Sequence, residues 1–278
     1  MIENNEKDFI ARIKSALNKS DLDASSKSPR RFEDIFPNPP RNVVQSILTQ
    51  IEHRDDAKRQ ALLNQLVEAG KPINLNVIAH KDSAAVATAI ATLANQKKTE
   101  WGDRKQVAVW KHPAINALGL TEILAAQNIT VHHTSFANTE TKTDGRSRIR
   151  KQIIESFIGV TAADYCVADS ATLVMKTRAG QARTVSLVPA IHIAVIYIDQ
   201  ILANLKELYA LLKTDPEFSE TGITNCLTFI SGPSKTADIE ATMVQGAHGP
   251  REVYLFVITG DHSVPQAEDK HRPHDVIT

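Results

Sequence analysis

The chain has 278 residues, 42% of them hydrophobic and 23% charged, with 32 basic side chains against 32 acidic ones. Such a chain can bury a sizeable core without disulfide or metal staples. A formal net charge of zero argues against a protein that works through phosphate contacts to nucleic acid, which brings a basic excess.

Residues 6–19 predict a short amphipathic helix, with Phe9, Ile10, Ile13, Ala16 and Leu17 on one face. Residues 20–40 hold four prolines and read as a linker or wrapping arm, with Phe32, Ile35 and Phe36 available for docking. Helical spacing runs over 43–69 and stops at Gly70 and Pro72. A strand over 73–79 follows, then an alanine-rich helix capped by Asp82 or Ser83 and ending near Asn95. Strands at 106–110 and 129–133 flank a helix at 120–126. This alternation predicts parallel crossovers.

After a polar loop over 134–145, Ile149, Ile153, Ile154, Phe157 and Ile158 mark a helix that is basic at its start. Strands are expected at 165–168, 172–176, 184–187 and 191–198, with Arg178-Ala179-Gly180-Gln181 turning a hairpin. A helix at 202–212, strands at 223–230 and 253–258, and a polar tail complete the chain. The organisation expected is an arm over 1–42, an α/β domain with a mixed sheet over 43–260, and a tail over 261–278.

Cys166 and Cys226 lie in apolar runs with no second Cys or His at metal-ligand spacing. They read as buried thiols of a reducing compartment and cannot supply a four-cysteine iron–sulfur cluster. Residues 1–5 are polar and acidic, unlike a secretory leader. The longest apolar stretch, 187–198, is too short to span a bilayer and contains Pro189 and His192. A cytoplasmic location is expected.

The segment Ser231-Gly232-Pro233-Ser234-Lys235-Thr236-Ala237-Asp238-Ile239-Glu240 follows a strongly apolar strand. Ligands of open α/β sheets sit beyond the carboxyl ends of strands. Ser231, Ser234, Thr236 and Lys235 suit a carboxylate or phosphate, and Asp238 can orient Lys235. The alternative is an ordinary turn in which Thr236 caps a helical turn. The glycine spacing excludes a P-loop. Further on, His248 sits between Gly246 and Gly249 and can shuttle a proton, and Arg251 can fork onto a carboxylate; a glycine-rich turn is the competing reading. Asp169 and Thr172 stand at a strand end and restart, as binding groups or turn residues. Arg183 points either at the same cleft or at water. His192 reads as a hydrogen-bonded core residue rather than a catalyst. His132 and His133 point to opposite faces of a strand, and His262, His271 and His274 lie in the tail, so no metal is assigned.

Four blocks make the chain resemble the lactate utilization protein C family, or LUD domain. They are Ala163-Asp164 with Thr172-Leu173-Val174; Arg183 and Val188-Pro189 with Ile191-His192-Ile193-Ala194; the segment 231–240; and Gly246 with His248-Gly249-Pro250-Arg251-Glu252. The resemblance implies a three-layer α/β/α sandwich like the ribose-phosphate isomerase and coenzyme A transferase group. It also implies a cluster-free subunit that works with iron–sulfur partner proteins in oxidising L-lactate to pyruvate. It transfers no catalytic residue and implies no cofactor in this chain. One departure is Ser170-Ala171-Thr172, where the family often carries Thr-Gly-Thr or Thr-Gly-Ser. Two other functions stay open: a stand-alone transferase or isomerase acting on a phosphorylated or acyl-coenzyme A compound, and a non-catalytic adaptor.

Overall fold

Helical spacing over 43–69 resolves into two helices, α1 (Arg41–Glu52) and α2 (Asp56–Gly70). The break falls where Asp55 caps α2, its carboxylate accepting from the Lys58 amide at 2.7 Å. This is a computed structural model, and it describes residues 41–99, 102–137, 139–215, 227–237, 243–245 and 248–260. The helix expected over 6–19, the arm over 20–40, Cys226, Asp238 and the tail lie outside the described residues.

Strand β1 (Leu75–His80) leads into α3 (Ser83–Gln96), where Asp82 accepts from the Ala85 amide at 2.8 Å. Then come β2 (Gln106–Val109), α4 (Pro113–Asn116), α5 (Leu120–Ala125), β3 (Thr130–His133) and α6 (Lys142–Glu155). Next are β4 (Ile158–Ala162), β5 (Tyr165–Val167), β6 (Thr172–Lys176), β7 (Ile191–Tyr197) and β8 (Ile201–Leu202). Helix α7 (Leu205–Thr214) precedes β9 (Leu227–Ile230), β10 (Lys235–Ala237), β11 (Met243–Gln245) and β12 (Glu252–Ile258).

Six strands form one sheet in the order β1-β12-β7-β4-β2-β3. Every neighbouring pair in it is parallel. The antiparallel pairs that suggested a mixed sheet belong elsewhere. A second sheet, β8-β5-β6-β9, contains the antiparallel pairs β5–β6 and β6–β9, and β10–β11 is a separate ribbon.

The layers follow from which faces are apolar. Val86 and Ile90 of α3, Ile115 and Leu124 pack on Val107, Val160 and Ile193. On the opposite face, Leu62 and Leu66 of α2 and Ile153 of α6 pack on Ala108, Ala194 and Leu255. Cys166, Leu173 and Met175 of the small sheet join this second cluster. Helix α7 then covers the outer side of the small sheet through Leu208, Val167 and Val174. The chain is therefore a three-layer α/β/α arrangement with a small sheet added to one outer layer. Among the described residues no helix is long and apolar enough to cross a membrane.

Three sequence expectations are corrected. Phe157 and Ile158 do not extend α6: the helix ends at Glu155 with Ser156 as an extended cap, and Ile158 opens β4, a fully buried central strand. Strands buried on both faces show no alternation, so their apolar run continued the helical spacing. Residues 184–187 are no strand, and no hairpin forms there; Arg183–Ser186 is a 3-10 turn. It lies directly on β4, because a Cβ at Gly159 would meet the Val185 carbonyl oxygen at 1.9 Å. Thr236 begins no helical turn but lies in β10 opposite Val244.

Candidate functional site

Ser231 follows β9, and its hydroxyl lies 2.8 Å from Thr172 Oγ1 at the start of β6. Thr172 Oγ1 also donates to Ser170 Oγ at 3.0 Å. The chain then turns at Gly232, whose φ is +82° and whose Cβ position would fall 2.4 Å from the Ile73 carbonyl oxygen, just ahead of β1. The Ser234 amide donates to the Pro250 carbonyl at 2.9 Å, and the Arg251 amide donates to that of Ala190 at 2.8 Å. Segment 231–235 and residues 248–251 thus meet at the amino ends of β1, β12 and β7. The segment does lie beyond the carboxyl end of a strand, as expected, but that strand is β9 of the small sheet, so the segment sits at the amino ends of the large parallel one. Lys235, His248, Arg251 and Asp169 are all exposed. Arg183 lines a different cavity.

Between Ser170 and Thr172, Ala171 has a φ of +46° and is fully buried. The position does adopt the left-handed backbone that glycine favours, and here alanine bears it.

The carboxyl ends carry a polar cluster that residue patterning did not single out. Asp164, two residues past β4, accepts from the Lys176 amide and from Arg178 Nη1, each at 2.7 Å. Gln200 Nε2 donates to the Ala163 and Asp164 carbonyls at 3.0 and 2.9 Å. The buried Lys176 ammonium pairs with Asp215 and stands 5.8 Å from the Tyr165 ring centroid. Burial, helped by Asp164 and Asp215, pushes the Tyr165 phenol up to about 12. Nearby, burial lowers the His112 imidazole, and the Asp164 charge partly opposes this.

Arg183 lines a cavity of about 720 Å³ between α6 and residues 177–184, together with Arg146, Arg150 and Arg178. Among the described residues no carboxylate lines it. Phe136, Ile154 and Val188 present apolar surface there, although they are 53, 60 and 46% exposed. Gln181 is 6% exposed, and its Oε1 has no hydrogen-bond partner among the described residues. The far wall is pinned. Trp110 Nε1 donates to the Ala182 carbonyl at 2.8 Å, and the Lys111 amide and Thr134 hydroxyl donate to that of Gly180 at 3.1 and 2.5 Å. The sequence signal for this site was the basic start of α6, where Arg146 and Arg150 are one turn apart.

The family model for the LUD domain matches residues 63–258. The chain belongs to the LUD domain family. This LUD chain is 33% identical over 154 residues to a lactate utilization protein C of Halalkalibacterium halodurans, covering 55% of the chain and 63% of that relative. A lactate utilization protein C of Geobacillus sp. strain WCH70 is 31% identical over 157 residues, 55% and 62% of the two chains. That of Shouchella clausii is 27% identical over 209 residues, 75% and 84%. The LUD chain thus spans less than two thirds of the first two relatives. A crystal structure of a DUF162 family protein from Deinococcus radiodurans covers 72% of the LUD chain and 98% of its own, at 18% identity and a TM-score of 0.46.

Proposed function

We propose that this LUD chain serves lactate utilization as the cluster-free subunit of a system that oxidises L-lactate to pyruvate beside iron–sulfur partner proteins. The observation that carries this reading is its family membership together with relatives named lactate utilization protein C. Oxidation of a 2-hydroxy carboxylate removes two electrons and two protons, and the electrons need an acceptor. In this reading the partners' clusters take the electrons. This chain contributes cationic groups that hold the carboxylate, which guanidinium groups do in a forked, two-bond geometry.

The test is a strain lacking the gene, grown on L-lactate as sole carbon source with no other lactate oxidase present. Growth should fail and return on complementation, and the tagged chain should co-purify with proteins that contain iron and acid-labile sulfide. Unimpaired growth of the deletion strain would remove the proposal. One observation favours a second reading, an enzyme of a larger anionic substrate: a cavity of about 720 Å³ far exceeds what lactate fills.

A further inference from the structure

We infer that the cavity between α6 and residues 177–184 binds an organic phosphate bearing a flat ring, the chemical class of a nucleotide. The inference rests on the cavity alone and stands whether or not the chain serves lactate oxidation.

The charge comes first. Arg146 and Arg150 lie one turn apart on α6 and make no ion pair with any described residue. Arg183 lines the opposite wall, and Arg178 already serves Asp164. The Arg146 and Arg150 charges repel along one helix face, and among the described residues no lining carboxylate offsets that pair. A guanidinium fork matches two phosphate oxygens, so neighbouring forks suit a group with several ionised oxygens. A monocarboxylate would use one fork of the Arg146 and Arg150 pair and leave the other unanswered.

The apolar wall sets the rest of the ligand. A Cβ at Gly145 would stand 2.4 Å from Phe136 Cδ1, so the Phe136 ring rests against a bare turn of α6. That contact fixes the ring while about half of the residue stays exposed at the cavity. Flat heteroaromatic rings stack on such a surface. The buried Gln181 lacks a donor for its Oε1, and a sugar hydroxyl or a ring amino group provides one. The cavity volume falls in the range of sites for molecules of nucleotide size. Its pinned wall means little ordering on binding.

Calorimetric titration of the full chain tests this, with ADP, GDP, CDP, inorganic pyrophosphate and L-lactate as separate probes. At least one nucleotide should bind about tenfold or more tighter than pyrophosphate, and less tightly as salt is raised. Replacing Arg146→Ala and Arg150→Ala together should weaken nucleotide and pyrophosphate by at least about tenfold, with an unchanged melting curve since both residues are exposed. Phe136→Ala should remove the preference for the nucleotide over pyrophosphate and leave pyrophosphate binding intact. The inference is overturned if no nucleotide binds, if nucleotide binding survives the double replacement, or if pyrophosphate binds as tightly as every nucleotide. It is also overturned if lactate alone binds and the double variant loses it, which would instead assign the cavity to lactate.

Discussion

Thr161 Oγ1 and His192 Nε2 lie 2.8 Å apart on adjacent strands of the central sheet, and His192 Nδ1 has no partner among the described residues. The imidazole is fully buried, and burial pushes its pKa down to about 3. The unfolded chain binds this proton near pH 6.5, whereas the folded chain resists it until about pH 3. Folding stability from this group is therefore complete above pH 6.5 and is lost as pH falls through that window. The expected slope is about 1.4 kcal/mol per pH unit. Denaturant melts between pH 4 and 7 should show that component in the native chain and lack it in His192→Leu. An equal slope in the variant would assign the acid sensitivity to other groups.

Ala171 gives a second prediction. The left-handed backbone costs a non-glycine residue roughly 1–2 kcal/mol. Ala171→Gly relieves this but loses a buried methyl, worth about 0.8 kcal/mol, and adds about 0.4–1 kcal/mol of unfolded-state entropy. These effects cancel to within about 1 kcal/mol, so the glycine variant should melt close to the native chain. Ala171→Val adds a β-branched side chain at positive φ inside a filled core. It should lose at least about 2 kcal/mol. A valine variant as stable as the native chain would show that the position is not left-handed.

Gly159→Ala should be among the most damaging single-methyl changes in the chain. Its Cβ would overlap the Val185 backbone oxygen at 1.9 Å, and backbone cannot step aside as a side-chain tip can. Displacing the Arg183–Ser186 turn should cost about 3 kcal/mol, read as a lower denaturant midpoint. Because Arg183 rides on this turn, ligand binding in the adjoining cavity should fall as well.

Asp164→Asn tests the strut beneath that cavity. The change keeps the shape but weakens the bonds from Arg178 Nη1 and the Lys176 amide, both at 2.7 Å. The Arg178 and Asp164 side chains are partly buried, at 31 and 15% exposure, so a loss of about 1–3 kcal/mol is expected. Hydrogen exchange should quicken at residues 176–182 first. Unchanged protection there would mean that Trp110, Lys111 and Thr134 hold the segment without Asp164.

Most of the large sheet was legible as short β-branched runs between turn residues. Strands 106–109, 130–133 and 191–197 lie within the expected spans, and in the small sheet 172–176 coincides with its span. What escaped depends on contacts distant in sequence. Nothing local tells that Ile158 begins a strand rather than ending a helix, because a fully buried strand has no polar alternation. Nothing local tells that Val185 lies on Gly159. The site shows the same divide. Arg183 was visible as a candidate, whereas Asp164, Arg178, Gln181, Arg146 and Arg150 gain meaning only when α6 and the 177–184 segment face each other across the fold.

Strand β7 joins the two polar regions end to end. Ahead of it, the Ala190 carbonyl accepts from Arg251 beside the Ser231–Ser234 loop; beyond it, the Tyr197 amide donates to Gln200, which in turn holds Asp164. Seven extended residues at about 3.3 Å each keep these ends about 20 Å apart. Groups so separated cannot act on one bond of one small molecule. Free-energy effects of Ser234→Ala and Asp164→Asn should therefore simply add, with a coupling energy below about 0.5 kcal/mol in a double-mutant cycle. The fold thus offers two thermodynamically independent surfaces, each free to change without retuning the other.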